Sequence, residues 1–149
     1  MQKNRNNLNT MLFPKKVKYR KWQTMRKNPK KVTPATRGIL VSFGSHGLKA
    51  MTPHRVTSNQ IESARKAITK AVGKTGRVWI RIFPDMPFTK KPAEVKMGKG
   101  KGDIQGYVAK VLSGQIIFEV DGVTDAVAKE SLRKGGTKLP VKVKIVARE

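Results

Sequence analysis

The chain has 149 residues, with 33 Lys and Arg against 9 Asp and Glu, for a net charge of +24. That length suits one domain with tails, and self-repulsion at that charge opposes compaction unless a polyanion is bound. No stretch approaches the roughly 20 apolar residues that span a bilayer, no basic amphipathic helix carries large aromatics for a membrane surface, and the absence of cysteine excludes disulfides, thiolate metal sites and a Cys nucleophile. RNA and DNA remain as the polyanions to be weighed.

The charge is polarised. Residues 1–61 hold 14 Lys and Arg and no acid; the first carboxylate is Glu62. The opening residues 1–10 lack the apolar core of a secretory signal. They are basic and acid-free, which leaves a transit remnant open, but they lack its serines and amphipathic pattern. Residues 1–37 read as a basic arm with too little apolar periodicity to fold alone. Its densest part holds Lys15, Lys16, Lys18, Arg20, Lys21, Arg26 and Lys27, with Arg37 further on. Tyr19 and Trp22 are interleaved with these cations, a pairing suited to stacking on bases beside phosphate. A solvated tail has no need of aromatics.

Residues 38–149 carry the patterning of a folded domain. Ile39, Val41 and Phe43 alternate up to Gly44 and predict a strand, with a second short one over 48–51. Thr57 and Gln60 have capping-box spacing. Ile61, Ala64, Ile68, Ala71 and Val72 then share one helical face up to Gly73. Arg65, Lys66 and Lys70 fall elsewhere on that helix and form a second basic face. Residues 77–83 alternate Val78, Ile80 and Ile82 with Trp79, Arg81 and Phe83, predicting a strand. Residues 107–112 and 116–120 predict a hairpin about Ser113-Gly114. A second helix runs from Thr124-Asp125 to about Lys134, with Val127 and Leu132 inward and Gly135-Gly136 as its stop. Residues 139–146 form the last strand, Val141, Val143 and Ile145 opposite Lys142 and Lys144. Five or six strands and two helices in this order predict an α+β fold, two helices packed on a mixed, mainly antiparallel sheet.

Between two of these strands lies a long connection, residues 84–104, of a length that is usually functional. It carries Lys90, Lys91 and Lys96, then Met97-Gly98-Lys99-Gly100-Lys101-Gly102. Glycine permits close backbone approach and positive φ, and lysine supplies a mobile charge for phosphate. Neither the Walker nor the Rossmann glycine spacing is present. His46 and His54 are not placed to share a metal and read as surface or RNA-facing residues. Asp85, Glu94 and Asp103 form no carboxylate pair facing a pocket, and no serine sits in a nucleophile elbow. No catalytic residue, metal or cofactor is expected.

Five stretches in order resemble the bacterial-type large-subunit ribosomal protein sixteen family. They are residues 11–21 (MLFPKKVKYRK), 43–50 (FGSHGLKA), 60–65 (QIESAR), 79–85 (WIRIFPD) and 97–102 (MGKGKG). The resemblance covers about nine tenths of the chain. It implies a hammerhead-type α+β fold and a structural role in the large subunit, on rRNA near the A site and the peptidyl-transferase centre. It also implies A-site and P-site tRNA and neighbouring large-subunit proteins as partners, without membrane or homo-oligomer. The arm and the Gly-Lys loop would reach the RNA, together with His46 and Arg81. The setting would be the cytoplasmic ribosome of a bacterium or an organellar ribosome. Family members usually begin at the place of Met11, so residues 1–10 are extra or reflect an upstream start. Some carry a hydroxylated arginine directly before the Met-Gly-Lys run; Lys96 stands there, so that modification cannot occur at this position. Composition alone fits a free RNA- or DNA-binding protein such as an assembly factor equally well; an enzyme acting on RNA would need a catalytic group in the loop.

Overall fold

A computed structural model describes residues 12–24 and 33–148. The elements run β1 (His46–Ala50), β2 (His54–Thr57), α1 (Ser58–Val72), β3 (Arg77–Ile80), β4 (Met86–Lys90), β5 (Asp103–Val111), β6 (Ile116–Asp121), α2 (Asp125–Gly136) and β7 (Val143–Ala147). The strands pair antiparallel in two sheets, one ordered β3-β6-β1-β7 and the other β2-β5-β4. The helices pack on each other, α1 also against β2, β3 and β5, and α2 against β1, β6 and β7. Leu48, Ile61, Ile68, Phe118 and Leu132 are fully buried where these layers meet. The α+β class holds, with two helices on mainly antiparallel strands; the strands number seven rather than five or six and divide into two sheets.

α1 starts at its capping box. Gln60 N–H donates to Thr57 Oγ1 at 3.4 Å, and Thr57 N–H donates to Gln60 Oε1 at 2.9 Å. The reciprocal bonds satisfy two amides that a helix start leaves open. Ile61, Ala64, Ile68 and Val72 are buried, and Gly73 ends the helix at φ +77°. The ladder of β3 stops at Ile80 rather than Phe83, yet the alternation continues: Ile82 is buried and Phe83 exposed. β7 likewise starts at Val143, with Leu139 and Val141 buried before it and Lys142 and Lys144 exposed.

The end of α2 differs from expectation. Gly135 and Gly136 do not stop the helix, which runs through both to a cap at Thr137. They are where it touches its neighbours: a Cβ on Gly135 would lie 2.4 Å from Ile68 Cγ1, and one on Gly136 2.7 Å from Val143 Cγ2. Val127 is exposed, and Ala128 joins Leu132 on the inward side. Gly135→Ala is therefore expected to lower the melting temperature. The helix-propensity gain of about 1 kcal/mol is outweighed by overpacking of about 1–3 kcal/mol. Thermal unfolding checks this; a raised Tm would mean that Ile68 moves aside at little cost.

Three further segments depart from the sequence reading. Residues 39–44 form no strand. They cross the four-stranded sheet over a row made by Trp79 on β3, Glu119 on β6 and Gly47 on β1, which are in register. The amides of Ser42, Phe43 and Gly44 donate to the Glu119 carboxylate at 3.2, 2.6 and 2.9 Å. Backbone donors that a strand would give to a neighbouring chain are thus taken by one side chain. Val41 covers Gly47, where a Cβ would lie 2.7 Å from its Cγ2. The expected hairpin is also absent, because β5 and β6 belong to different sheets. Ser113-Gly114 is a corner at which the chain changes sheet: Gly114, at φ +91°, donates its N–H to Ala50 O at 2.7 Å, and Ala50 N–H donates to Gln115 O at 2.8 Å. Lastly, the long connection begins with β4. Pro87 obscures that strand, and is tolerated because β4 is an edge of its sheet. The irregular loop is residues 91–102.

Candidate nucleic-acid interface

The described arm residues lie against the domain. Leu12 packs on the core cluster. Phe13 meets Tyr107 of β5 edge-on, ring centroids 5.9 Å apart at 88°. Lys15, Lys16, Lys18, Tyr19 and Arg20 are exposed, with the Lys18 ammonium 5.5 Å from the Tyr19 ring centre. Arg26 and Lys27 lie outside the described residues; Arg37 is exposed. Further along, the arm meets the Gly-Lys loop. Lys21 Nζ donates to Lys101 O at 3.4 Å and stands 3.5 Å from Asp103 Oδ1, while the Lys101 ammonium donates to Trp22 O. Two cationic segments far apart in the chain thereby share one edge of the molecule.

The loop's glycines have two separate causes. Gly98, Lys99 and Gly100 take φ +101°, +52° and +96° in succession, with open space at the two glycine Cβ positions. Only backbone conformation requires glycine there. A Cβ on Gly102, by contrast, would stand 2.8 Å from the carbonyl carbon and oxygen of Lys90, across the β4–β5 closure. Lys91 donates to Gly98 O and folds the loop on itself. Lys90, Lys96, Lys99 and Lys101 are exposed, and Met97 stands out at 92% exposure.

The face on α1 is partly neutralised. Arg65 holds Glu62 with two bonds, 2.8 and 2.6 Å, and Lys66 lies 4.0 Å from the same carboxylate. The Arg65 guanidinium keeps the Glu62 carboxyl below its ordinary value. Lys70, in the last turn, is in no ion pair among the described residues. α2 repeats the device with Glu130, Arg133 and Lys134; Arg133 at 2.8 Å is the main cause holding Glu130 at about 2.

Two expected RNA-facing residues have partners inside the protein instead. His46 is 8% exposed, with Nε2 2.5 Å from Asp125 Oδ1 and Nδ1 3.2 Å from Ser45 Oγ. Arg81 pairs with the fully buried Glu119 and lies 4.9 Å from the centre of the Phe43 ring, itself stacked on Trp79 at 6.3 Å. Both fasten segments to the sheet. The fold also brings together residues that the sequence does not single out. Arg55 of β2 and Lys110 of β5 are exposed register partners, a relation visible only once strands are paired. Among the described residues no group of three or more His, Asp or Glu is placed to hold a metal ion.

A helix-and-sheet scaffold that pairs most of its acids internally and joins a cationic arm to a cationic loop defines a structural nucleic-acid-binding protein. The family model described as ribosomal protein L16p/L10e matches residues 14–146, and the chain belongs to that family. It is 54% identical over 138 residues to the large ribosomal subunit protein uL16 of Maricaulis maris (strain MCS10), covering 93% of this chain and 98% of that one. It is 52% identical over 139 residues to the protein of that name in Cereibacter sphaeroides (strain ATCC 17029 / ATH 2.4.9), again covering 93% and 98%. The protein of that name in Kosmotoga olearia is 52% identical over 138 residues, 93% of this chain and 95% of that one.

Proposed function

We propose that the protein braces large-subunit rRNA near the A site and the peptidyl-transferase centre and helps to position A-site and P-site tRNA. As a member of its family it is a structural component of the large ribosomal subunit, with rRNA and ribosomal proteins as partners, and not an enzyme. Its setting is the ribosome of a bacterium or of an organelle. The observation that carries the finer reading is the junction of Lys21 and Trp22 with Lys101 and Asp103. It makes residues 15–22 and 91–102 one cationic edge, suited to a folded RNA backbone. Arg65, Lys66 and Lys70 supply a second face. His46 and Arg81 act indirectly, by holding the scaffold.

The protein should sediment with the large subunit through washes at moderate salt, as a free RNA-binding protein would not. Affinity of the free protein for rRNA should fall steeply with salt. If six to ten phosphates are neutralised, the drop is about 10³ to 10⁵ between 50 and 200 mM, on a slope calibrated with duplex DNA. A filter-binding series across that range checks it, and a nearly flat series would remove charge as the main anchor.

A further inference from the structure

A cleft of about 720 Å³ opens between the arm and the end of the three-stranded sheet. Trp22 forms one wall, Met86, Val111 and Leu112 contribute apolar surface, and Arg55 and Lys110 bring two cations. Among the described residues no carboxylate lines it. Arg55 and Lys110 stand directly opposite each other in the β2–β5 register. Like charges so placed destabilise a sheet. Neither has an acid partner among the described residues, and residues 25–32 contain no acid. An anion between the two cations would remove the repulsion. The Trp22 wall is held in place by the Lys101 ammonium on its carbonyl.

We propose that this cleft receives a single unpaired nucleotide of rRNA, its base against the Trp22 indole and its phosphate between Arg55 and Lys110. An aromatic wall with an apolar floor suits a base, and two cations with no acid partner among the described residues suit a phosphate. A duplex cannot offer an exposed base face, so the site selects a splayed nucleotide. The assignment to rRNA rests on the ribosomal reading above. The base contact would also report on the loop, since Trp22 and Lys101 are joined.

The chain has two tryptophans, Trp22 and Trp79, whose indole N–H resonances can be followed separately in the whole protein. Titration with a short single-stranded oligoadenylate should move the Trp22 signal and leave Trp79 in place, while duplex RNA of equal charge, held at the cationic edge without a free base, should move Trp22 far less. Arg55→Ala/Lys110→Ala should weaken oligoadenylate binding by about tenfold or more. Lys138→Ala/Lys144→Ala, which removes the same charge elsewhere, should weaken it far less. The cleft variant should melt no lower than the wild type, because a repulsion has been deleted; Arg55→Gln alone should act in the same direction. Equal Trp22 shifts with duplex, equal losses in the two double variants, or no Trp22 shift at all would overturn the cleft. Adenosine monophosphate binding as tightly as the oligonucleotide would overturn the assignment to RNA. Wild-type protein that fails to sediment with the large subunit would overturn the ribosomal reading and leave these cleft outcomes standing.

Discussion

Glu119→Ala is expected to destabilise the protein by about 3–5 kcal/mol, the range for removing one partner of a buried ion pair. That is a large part of the about 5–15 kcal/mol typical of a domain. The loss strands Arg81 and frees the amides of Ser42, Phe43 and Gly44 together. Burial opposes the charge on Glu119, but the amides of Gly44, Phe43 and Ser42 and the Arg81 guanidinium outweigh it and hold the carboxyl below its ordinary 4.5. A depressed carboxylate stabilises fully above its unfolded pKa, so this contribution is present above about pH 4.5 and fades as pH falls through the folded value. Glu119→Gln should therefore be less stable than wild type at neutral pH and should lose part of the acid sensitivity. Denaturant unfolding at a series of pH values measures both. An alanine variant with wild-type stability would mean that residues 42–44 are held by something else.

Replacing residues 91–102 by a short Gly-Ser turn is expected to leave the fold and abolish ribosomal function. The replacement starts at Lys91 because Phe88 to Lys90 belong to β4, and the Lys90–Asp103 pair closes the ladder. Closure entropy changes by only about 0.6 kcal/mol per twofold change in loop length. The domain should keep its circular dichroism and melt within a few degrees of wild type. Lys91, Lys96, Lys99 and Lys101 would be gone, and with Lys101 the bond to Trp22. Complementation of a depletion strain should fail, and purified subunits should bind A-site tRNA poorly. Normal growth with normal tRNA binding would sink the functional claim, and a chain unable to fold would sink the structural one.

Local rules made part of this legible. The Thr57–Gln60 box and the spacing from Ile61 to Val72 specify α1 without help from the rest of the chain, and the approach to β7 shows its alternation plainly. The misreadings arise where a distant group decides. Ile39, Val41 and Phe43 alternate like a strand, but Glu119 on β6 takes the amides of Ser42, Phe43 and Gly44. Pro87 argues against a strand only until β4 is known to be an edge. Gly135-Gly136 looks like a stop until Ile68 and Val143 are set against it. The candidate interface divides similarly. Basic residue type and the glycine–lysine alternation point to the arm and the loop. Nothing local reveals that Asp125 occupies His46, that Glu119 occupies Arg81, or that Arg55 faces Lys110.

The chain between arm and β1 is fastened at several points, by Ala35 N–H on Ser113 O and Ile116 N–H on Gly38 O, both at 2.8 Å, and by the bond set around Glu119. Ser42 to Gly44 are fastened to the sheet whatever a partner does to residues 12–24. Once the domain has docked, engagement of the arm is therefore an event within one complex, and no second diffusional encounter is needed. Contacts carried on one docked body act at effective concentrations of about millimolar. Individually weak contacts by Lys15, Lys16, Lys18 and Arg20 can then hold, and one of them can let go and rebind while the protein stays on its site.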